Sequence, residues 1–275
     1  MGIISRLRIN NLVDSLNESE PHSGGRFSSQ TKLCIVLITV AVCLLLIHYM
    51  KFSSTLIEIL RWFSNSNLQA NPVYLYLQSH GIWDLSRHVW WLLWHIIGYV
   101  LIPVVIIKYV LKEQLSSYGV GWGDTHKYFL WYALLAAPIV MFAFFASYRP
   151  DFASHYPFYN LASRSWADLL LWELIYIFQF ICLEFFFRGF LLHASKPTCG
   201  VAALFIMIVP YTMIHFPKPW LEASGAIFFG IFLGILALRS RSIWGGALVH
   251  ITIAVSMDMF ALIQTNRLPK EWWIP

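Results

Sequence analysis

Charge is scarce in this chain: only 12% of its residues are Asp, Glu, Lys or Arg, while 58% are hydrophobic. A soluble domain usually carries about twice that charged share. The mean hydropathy is +0.62, and one soluble core of this size cannot hide so much apolar surface. A water-soluble fold is therefore excluded. Cysteine is also rare, with Cys34, Cys43, Cys182 and Cys199 all in or beside apolar runs. No C-x-x-C or Cys/His spacing joins them, which rules out a disulfide framework and a zinc finger. The sequence lacks G-x-S-x-G, H-E-x-x-H and a Ser-His-Asp order, so a serine hydrolase and a soluble-type zincin are disfavoured. The alternating glycines of "YGVGWGD" do not make G-x-G-x-x-G, and no repeat period is present. The net charge of +5 comes from basic residues scattered at the ends of apolar runs. They suit lipid headgroups, and a nucleic-acid partner is not expected.

What is present is a series of long apolar runs. A bilayer core takes about 20 apolar residues per helix. Seven spans are expected: Leu33–Met50, His88–Leu111, Tyr128–Ser147, Trp166–His193, Cys199–His215, Leu221–Leu238 and Ile243–Gln264. The segment Phe52–Phe63 either extends the first span or lies along the interface. The expected fold is all-α, a polytopic transmembrane bundle of about seven to eight helices. The organisation reads as a polar tail (1–32), N-terminal helices with an interfacial connection (33–111), a turn-rich connection (112–127), a core (128–264) and a C-terminal tail (265–275). No small-residue cleavage site follows the first span, which fits a signal anchor. With the N-terminus cytoplasmic, ten Lys and Arg fall on that side and eight on the other, Arg188 being the last of the 19. That balance leans towards a cytoplasmic N-terminus in the cell membrane.

Against this apolar background a few polar residues stand out. In "ICLEFFFRGFLLH", Glu184 and Arg188 are four residues apart, on one helix face, with the acid first. A charge at mid-membrane costs about 2.5–3.5 kcal/mol, so such a pair faces the protein interior. It serves either to pin helices together or to do chemistry. His215 follows in "VPYTMIHFPKPWLE", before Pro217 and Pro219, and Glu222 opens the next run. His250 lies in "SIWGGALVHITIAVSMD", with Asp258 two turns further on. One carboxylate and two imidazoles on consecutive spans are the groups that hold and deprotonate a water, or bind a metal that does so. Glu173, three turns before Glu184 and nearly on its face, is expected to line the same cavity. His95, His193 and the cluster Trp90, Trp91 and Trp94 are taken as packing or interface residues.

The stretches "EFFFRGFLL" and "IHFPKPWLEASGAIFFGIFLGILALRSRSIWGGALVH" together resemble the CPBP family of intramembrane proteases, the CAAX-protease and bacteriocin-processing group with the Abi or Rce-type glutamic protease fold. The resemblance covers about Ser163 to Asp258, and "LSSYGVGWGD" is similar to the turn that precedes the core in bacterial members. It implies three motifs: Glu-Glu-x-x-x-Arg, a helix-end His, and His-x-x-x-Asn or Asp. Glu184 fills the second glutamate position, Arg188 the arginine, and His215 and His250 the two histidines. Leu183 stands where the first glutamate belongs, and Ala254 where the Asn or Asp belongs. The single-glutamate form is similar to bacterial proteases that cut C-terminal sorting signals.

The resemblance implies an intramembrane endopeptidase acting on a membrane-anchored or hydrophobic-tailed peptide. Glu184 activates water, His215 and His250 hold it and polarise the carbonyl, and Arg188 orients Glu184. Glu222, Asp258 and Glu173 are second-rank. The resemblance leaves open whether a divalent metal such as zinc takes part, in which case Glu184, His215 and His250 are its ligands. Two other readings remain: a non-catalytic relative acting in bacteriocin immunity or substrate binding, and a transporter with a proton or metal path.

Overall fold

The structure is a computed structural model, which describes residues 27–218 and 220–274, without the Leu221 side chain. Most of the tail expected over 1–32 and the predicted helix-breaking Pro219 lie outside the described residues. Most of the described chain is helical, and no strand occurs among the described residues. Among the described residues, ten helices of six residues or more follow one another. They are α1 (Ser29–Met50), α2 (Ser53–Trp62), α3 (Pro72–Ser79), α4 (Trp83–Leu111), α5 (Thr125–Ala146), α6 (Pro150–His155), α7 (Trp166–Cys199), α8 (Ala202–Met213), α9 (Trp220–Ser240) and α10 (Trp244–Gln264). α2 is separate from α1, because Phe52 between them is extended.

Six of these helices are long and apolar enough to cross a membrane: α1, α4, α5, α7, α10 and, from Glu222, α9. The chain is thus an all-α multi-pass membrane bundle. One expected crossing needs correction. The span predicted over Cys199–His215 is α8, with 12 residues. At about 1.5 Å per residue it is roughly 18 Å long, well short of the roughly 30 Å hydrocarbon core. Gly200 ends the preceding helix with φ 53° and the turn at Ile214–Lys218 ends this one, so the apolar run is longer than its helix. Side-chain exposure separates the crossings. In α7 61% of the most apolar window is buried in protein, against 17% in α5, whose Phe129, Leu130, Met141 and Phe145 face outward. α7 is therefore the most buried of these crossings, and it carries Asp168, Glu173, Glu184 and Arg188.

The described chain divides into two compact units. The first draws on residues 27–42, 100–132 and 184–246, the second on 43–99, 133–183 and 247–274. In the first, α8 and α9 pack through a G-x-x-x-G pair. A Cβ on Gly230 would stand 2.6 Å from Ile208 Cδ1, and one on Gly234 2.7 Å from Leu204 Cδ2. Small residues one turn apart let two helix backbones approach closely in lipid, where no hydrophobic force drives helices together.

The second unit is organised around Leu85, Tyr159, Ala162, Leu169, Trp172, Ile175, Tyr176, Ala254 and Leu262. Ala254 is thus a packed core position. At the start of α7, the fully buried Asp168 accepts hydrogen bonds from Tyr159 Oη (2.7 Å), Arg164 Nε and Nη2 (2.7 and 2.8 Å) and Ser165 Oγ (2.8 Å). Removing one partner of such a pair strands the other, so Asp168→Asn is expected to lower stability by about 3 kcal/mol. Thermal unfolding in detergent measures this.

Candidate active site

The site starts from an irregularity in α7. The helix is regular over Trp166–Glu184, widens to i→i+5 turns over Phe185–Leu192, and is regular again over His193–Cys199. Such π segments are rare and recur at functional sites. Here the wide segment begins directly after Glu184 and contains Arg188. Both side chains are 0% exposed, and Arg188 Nη1 lies 3.0 Å from Glu184 Oε1. The sequence-predicted pair therefore exists and is dry. The phenylalanines around it, Phe186, Phe187 and Phe190, are equally buried. His193, expected as a packing residue, is bonded through Nδ1 to the Arg188 carbonyl, which ties the far end of the wide segment back on itself.

From Arg188 the contacts continue into α8. The guanidinium lies over the Tyr211 ring, 4.1 Å from its centroid, a cation–π stack whose strength grows when water is excluded. Phe187 meets the same ring edge-on at 5.3 Å. One turn later, the His215 ring lies 4.7 Å from that of Tyr211, and His215 Nδ1 is 2.8 Å from the Tyr211 carbonyl. A carbonyl only accepts, so Nδ1 carries the proton and Nε2 is the basic nitrogen. Glu184, Arg188, Tyr211 and His215 thus form one contiguous row in the first unit.

A third element closes on the carboxylate. α10 begins "WGG", and a Cβ added at Gly246 would overlap Glu184 Oε2 and lie 2.9 Å from Glu184 Cδ. Glycine is what allows the first turn of α10 to rest on the acid, and that turn is the positive end of the helix dipole. The turn-rich connection holds this start in place. Ile243 N donates to Gly119 O (2.9 Å), Trp244 Nε1 to Val120 O (2.7 Å) and Asp124 N to Ser240 O (2.7 Å). Tyr132 Oη and Ser240 Oγ are 3.1 Å apart. The glycine-rich segment "GVGWGD" is therefore a clasp for the entry to α10.

The remaining predicted residues have other surroundings. In the second unit, His250 stacks on Phe180 with centroids 5.3 Å apart and planes 9° from parallel. Asp258, fully buried, accepts the Trp172 indole N–H at 2.7 Å. Glu173 is buried in the same unit, and neither of its carboxylate oxygens has a hydrogen-bond partner among the described residues. In the first unit Glu222 pairs with Lys218 at 3.3 Å, both side chains being about a third exposed. Such a surface pair contributes at most about 1 kcal/mol.

Tyr211 and Gly246 were not anticipated from the sequence. Tyr211 had one visible signal, its place four residues before His215, and Gly246 had another, the Gly-Gly pair at a helix start. Among the described residues no group of three or more His, Cys, Asp or Glu side chains is placed to hold a metal ion.

Residues 165–256 match the family described as Rce1-like, Type II CAAX prenyl endopeptidase Rce1-like. This stretch is an Rce1-like domain. No curated protein and no solved structure matches the chain. The Rce1-like domain takes in α7, α8, α9 and the first half of α10. Glu184, Arg188, Tyr211, His215, Gly246 and His250 all lie inside it, and Asp258 lies just beyond it. The chain therefore carries a peptidase-family domain within a multi-pass membrane bundle.

Proposed function

We propose that the chain is an intramembrane endopeptidase that hydrolyses a peptide bond near the membrane anchor of its substrate. That substrate is a lipid-modified or hydrophobic-tailed protein or peptide. The observation that carries this reading is the dry Glu184–Arg188 pair, with glycine backbone set against the carboxylate, inside a peptidase-family domain. A pair that only pinned helices would not require a glycine at the acid. Glu184 takes a proton from a water, and the resulting hydroxide oxygen bonds to the carbonyl carbon. The carbonyl oxygen becomes an anion, the C–N bond breaks, and the proton passes to the departing amine. Arg188, fixed over Tyr211, orients Glu184. His215 offers Nε2 to the water, and His250, one turn beyond Gly246 along α10, polarises the carbonyl. The ten-to-eight balance of Lys and Arg supports a cell-membrane location with the N-terminus cytoplasmic.

The two histidines carry different effects. His250→Ala removes an oxyanion donor and is expected to reduce kcat by about 10²–10³-fold with little change in KM. His215→Ala lowers kcat too and also loosens Tyr211, so a fall in thermal stability accompanies it. Initial rates on a tailed peptide in mixed micelles, with melting curves of each variant, make the check. Loss of neither rate would remove both histidines from the site.

Leu183 and Ala254 motivate a rival reading, a non-catalytic relative that binds substrates or confers bacteriocin immunity. Under it, a tailed peptide is bound by the purified chain and recovered intact, and immunity survives Glu184→Gln and His215→Ala combined.

A further inference from the structure

A second polar site lies in the second unit, where α10 ends and α7 begins. The chain leaves α10 through Asn266, which is left-handed (φ 53°). Asn266 N donates to Ile263 O (3.1 Å) and Arg267 N to Leu262 O (2.9 Å), the pattern of a Schellman turn. The following residues then cap α7: Trp166 N donates to Glu271 O (2.9 Å) and Ala167 N to Trp272 O (3.0 Å). These bonds fix the walls of an open cavity of about 280 Å³, lined by Ser163, Arg164, Asn266, Arg267, Lys270 and Glu271.

The cavity carries unmatched positive charge. Arg164 is neutralised by Asp168 and also donates to the Gly81 carbonyl at 2.9 Å. Arg267 and Lys270 form no ion pair among the described residues, and Glu271 is the one acid in the lining. Its depth is set by its surroundings. It sits just past the ends of two membrane-length helices. Beside it Trp272 and Trp273 are 67% and 80% exposed, and Trp166 lies 6.0 Å from the Trp272 ring. Exposed tryptophans at the ends of spans lie at headgroup level, where the abundant anion is a phosphoryl group.

We infer that this cavity binds a phosphoryl anion, the phosphodiester of an acidic phospholipid headgroup, with Arg267 and Lys270 as its ligands. Trp272 and Trp273 rest in the adjoining interface, so a bound lipid fastens the C-terminal segment that caps α7. Each basic residue at the membrane surface adds about fivefold to the preference for anionic lipid.

The test uses the purified full chain in detergent, offered equal amounts of phosphatidylglycerol and phosphatidylcholine, with retained lipid counted by native mass spectrometry. The wild-type chain should keep phosphatidylglycerol, and Arg267→Gln with Lys270→Gln should cut the preference by about fivefold per residue removed. A parallel arm adds inorganic phosphate. If the lipid stays bound, the headgroup is the source. If phosphate displaces it and raises the melting temperature by itself, the site is supported with phosphate from solution as its ligand. Equal retention of both lipids by the wild-type chain, or an unchanged preference in the double variant, overturns the site. Circular dichroism confirms that the variant is folded, and Arg267→Gln alone serves if the pair of substitutions is not tolerated.

Discussion

Replacing Glu184 by Gln is expected to abolish cleavage of a co-expressed membrane-anchored substrate while the protein is still made and inserted. Gln keeps the size and a hydrogen-bonding carbonyl but cannot take a proton. Loss of a general base costs about 10²–10⁴-fold in rate. A buried ion pair complicates such a result, because removing one partner leaves the other charge stranded, a penalty of about 3–5 kcal/mol. Glu184 and Arg188 are both fully buried at 3.0 Å, so the concern applies here. A second variant separates the two effects. Glu184→Met with Arg188→Met removes both charges, and replacing a buried pair by apolar residues is often neutral or stabilising. If Glu184 is only structural, the double variant recovers both folding and activity. If it is the base, the double variant melts at or above the wild-type temperature and is inactive.

The second large effect comes from a residue with no side chain. Gly246→Ala puts a methyl group where Glu184 Oε2 lies, so either the carboxylate or the first turn of α10 must move. A displacement of about 1 Å at a catalytic group costs on the order of 10²-fold in rate. Gly246→Ala should therefore be nearly inactive, yet lose much less stability than activity, because alanine favours the helix by about 1 kcal/mol over glycine. Gly225 supplies the control, since nothing among the described residues lies within 4 Å of a Cβ built there. Gly225→Ala, also within a helix, should keep full activity and melt slightly higher. Rates and melting curves of the two variants, measured side by side, make the comparison. Equal activity in both would show that the closeness of α10 to Glu184 is irrelevant to function.

The parts of this architecture that follow from one-dimensional patterning are legible in the sequence. Apolar length marks the membrane crossings, and the acid and base four residues apart in "EFFFRG" mark the buried pair, because both signals are local. Apolar length failed at α8, where a helix of 12 residues sits inside a longer apolar run. Composition does not register where Gly200 and the turn after Met213 stop the helix. The supports of the pair were illegible for a different reason. Tyr211 under Arg188, Gly246 against Glu184, and the "GVGWGD" clasp are contacts between segments tens of residues apart. An acid at a helix start suits the dipole, so Asp168 carries no sequence signal beyond that. Arg164 and Ser165 stand four and three residues before it, and Tyr159 joins them from the preceding turn.

Hydrolysis by this chain, rather than binding, is tested most directly with the purified protein in vesicles, a peptide ending in an apolar helix, and water labelled with heavy oxygen. A Glu184-dependent hydrolase yields a shortened peptide with heavy oxygen in its new carboxyl terminus, and the Glu184→Gln protein yields none. A wild-type chain that binds the peptide and returns it intact, or a Glu184→Gln chain that cleaves it at the wild-type rate, would contradict that role.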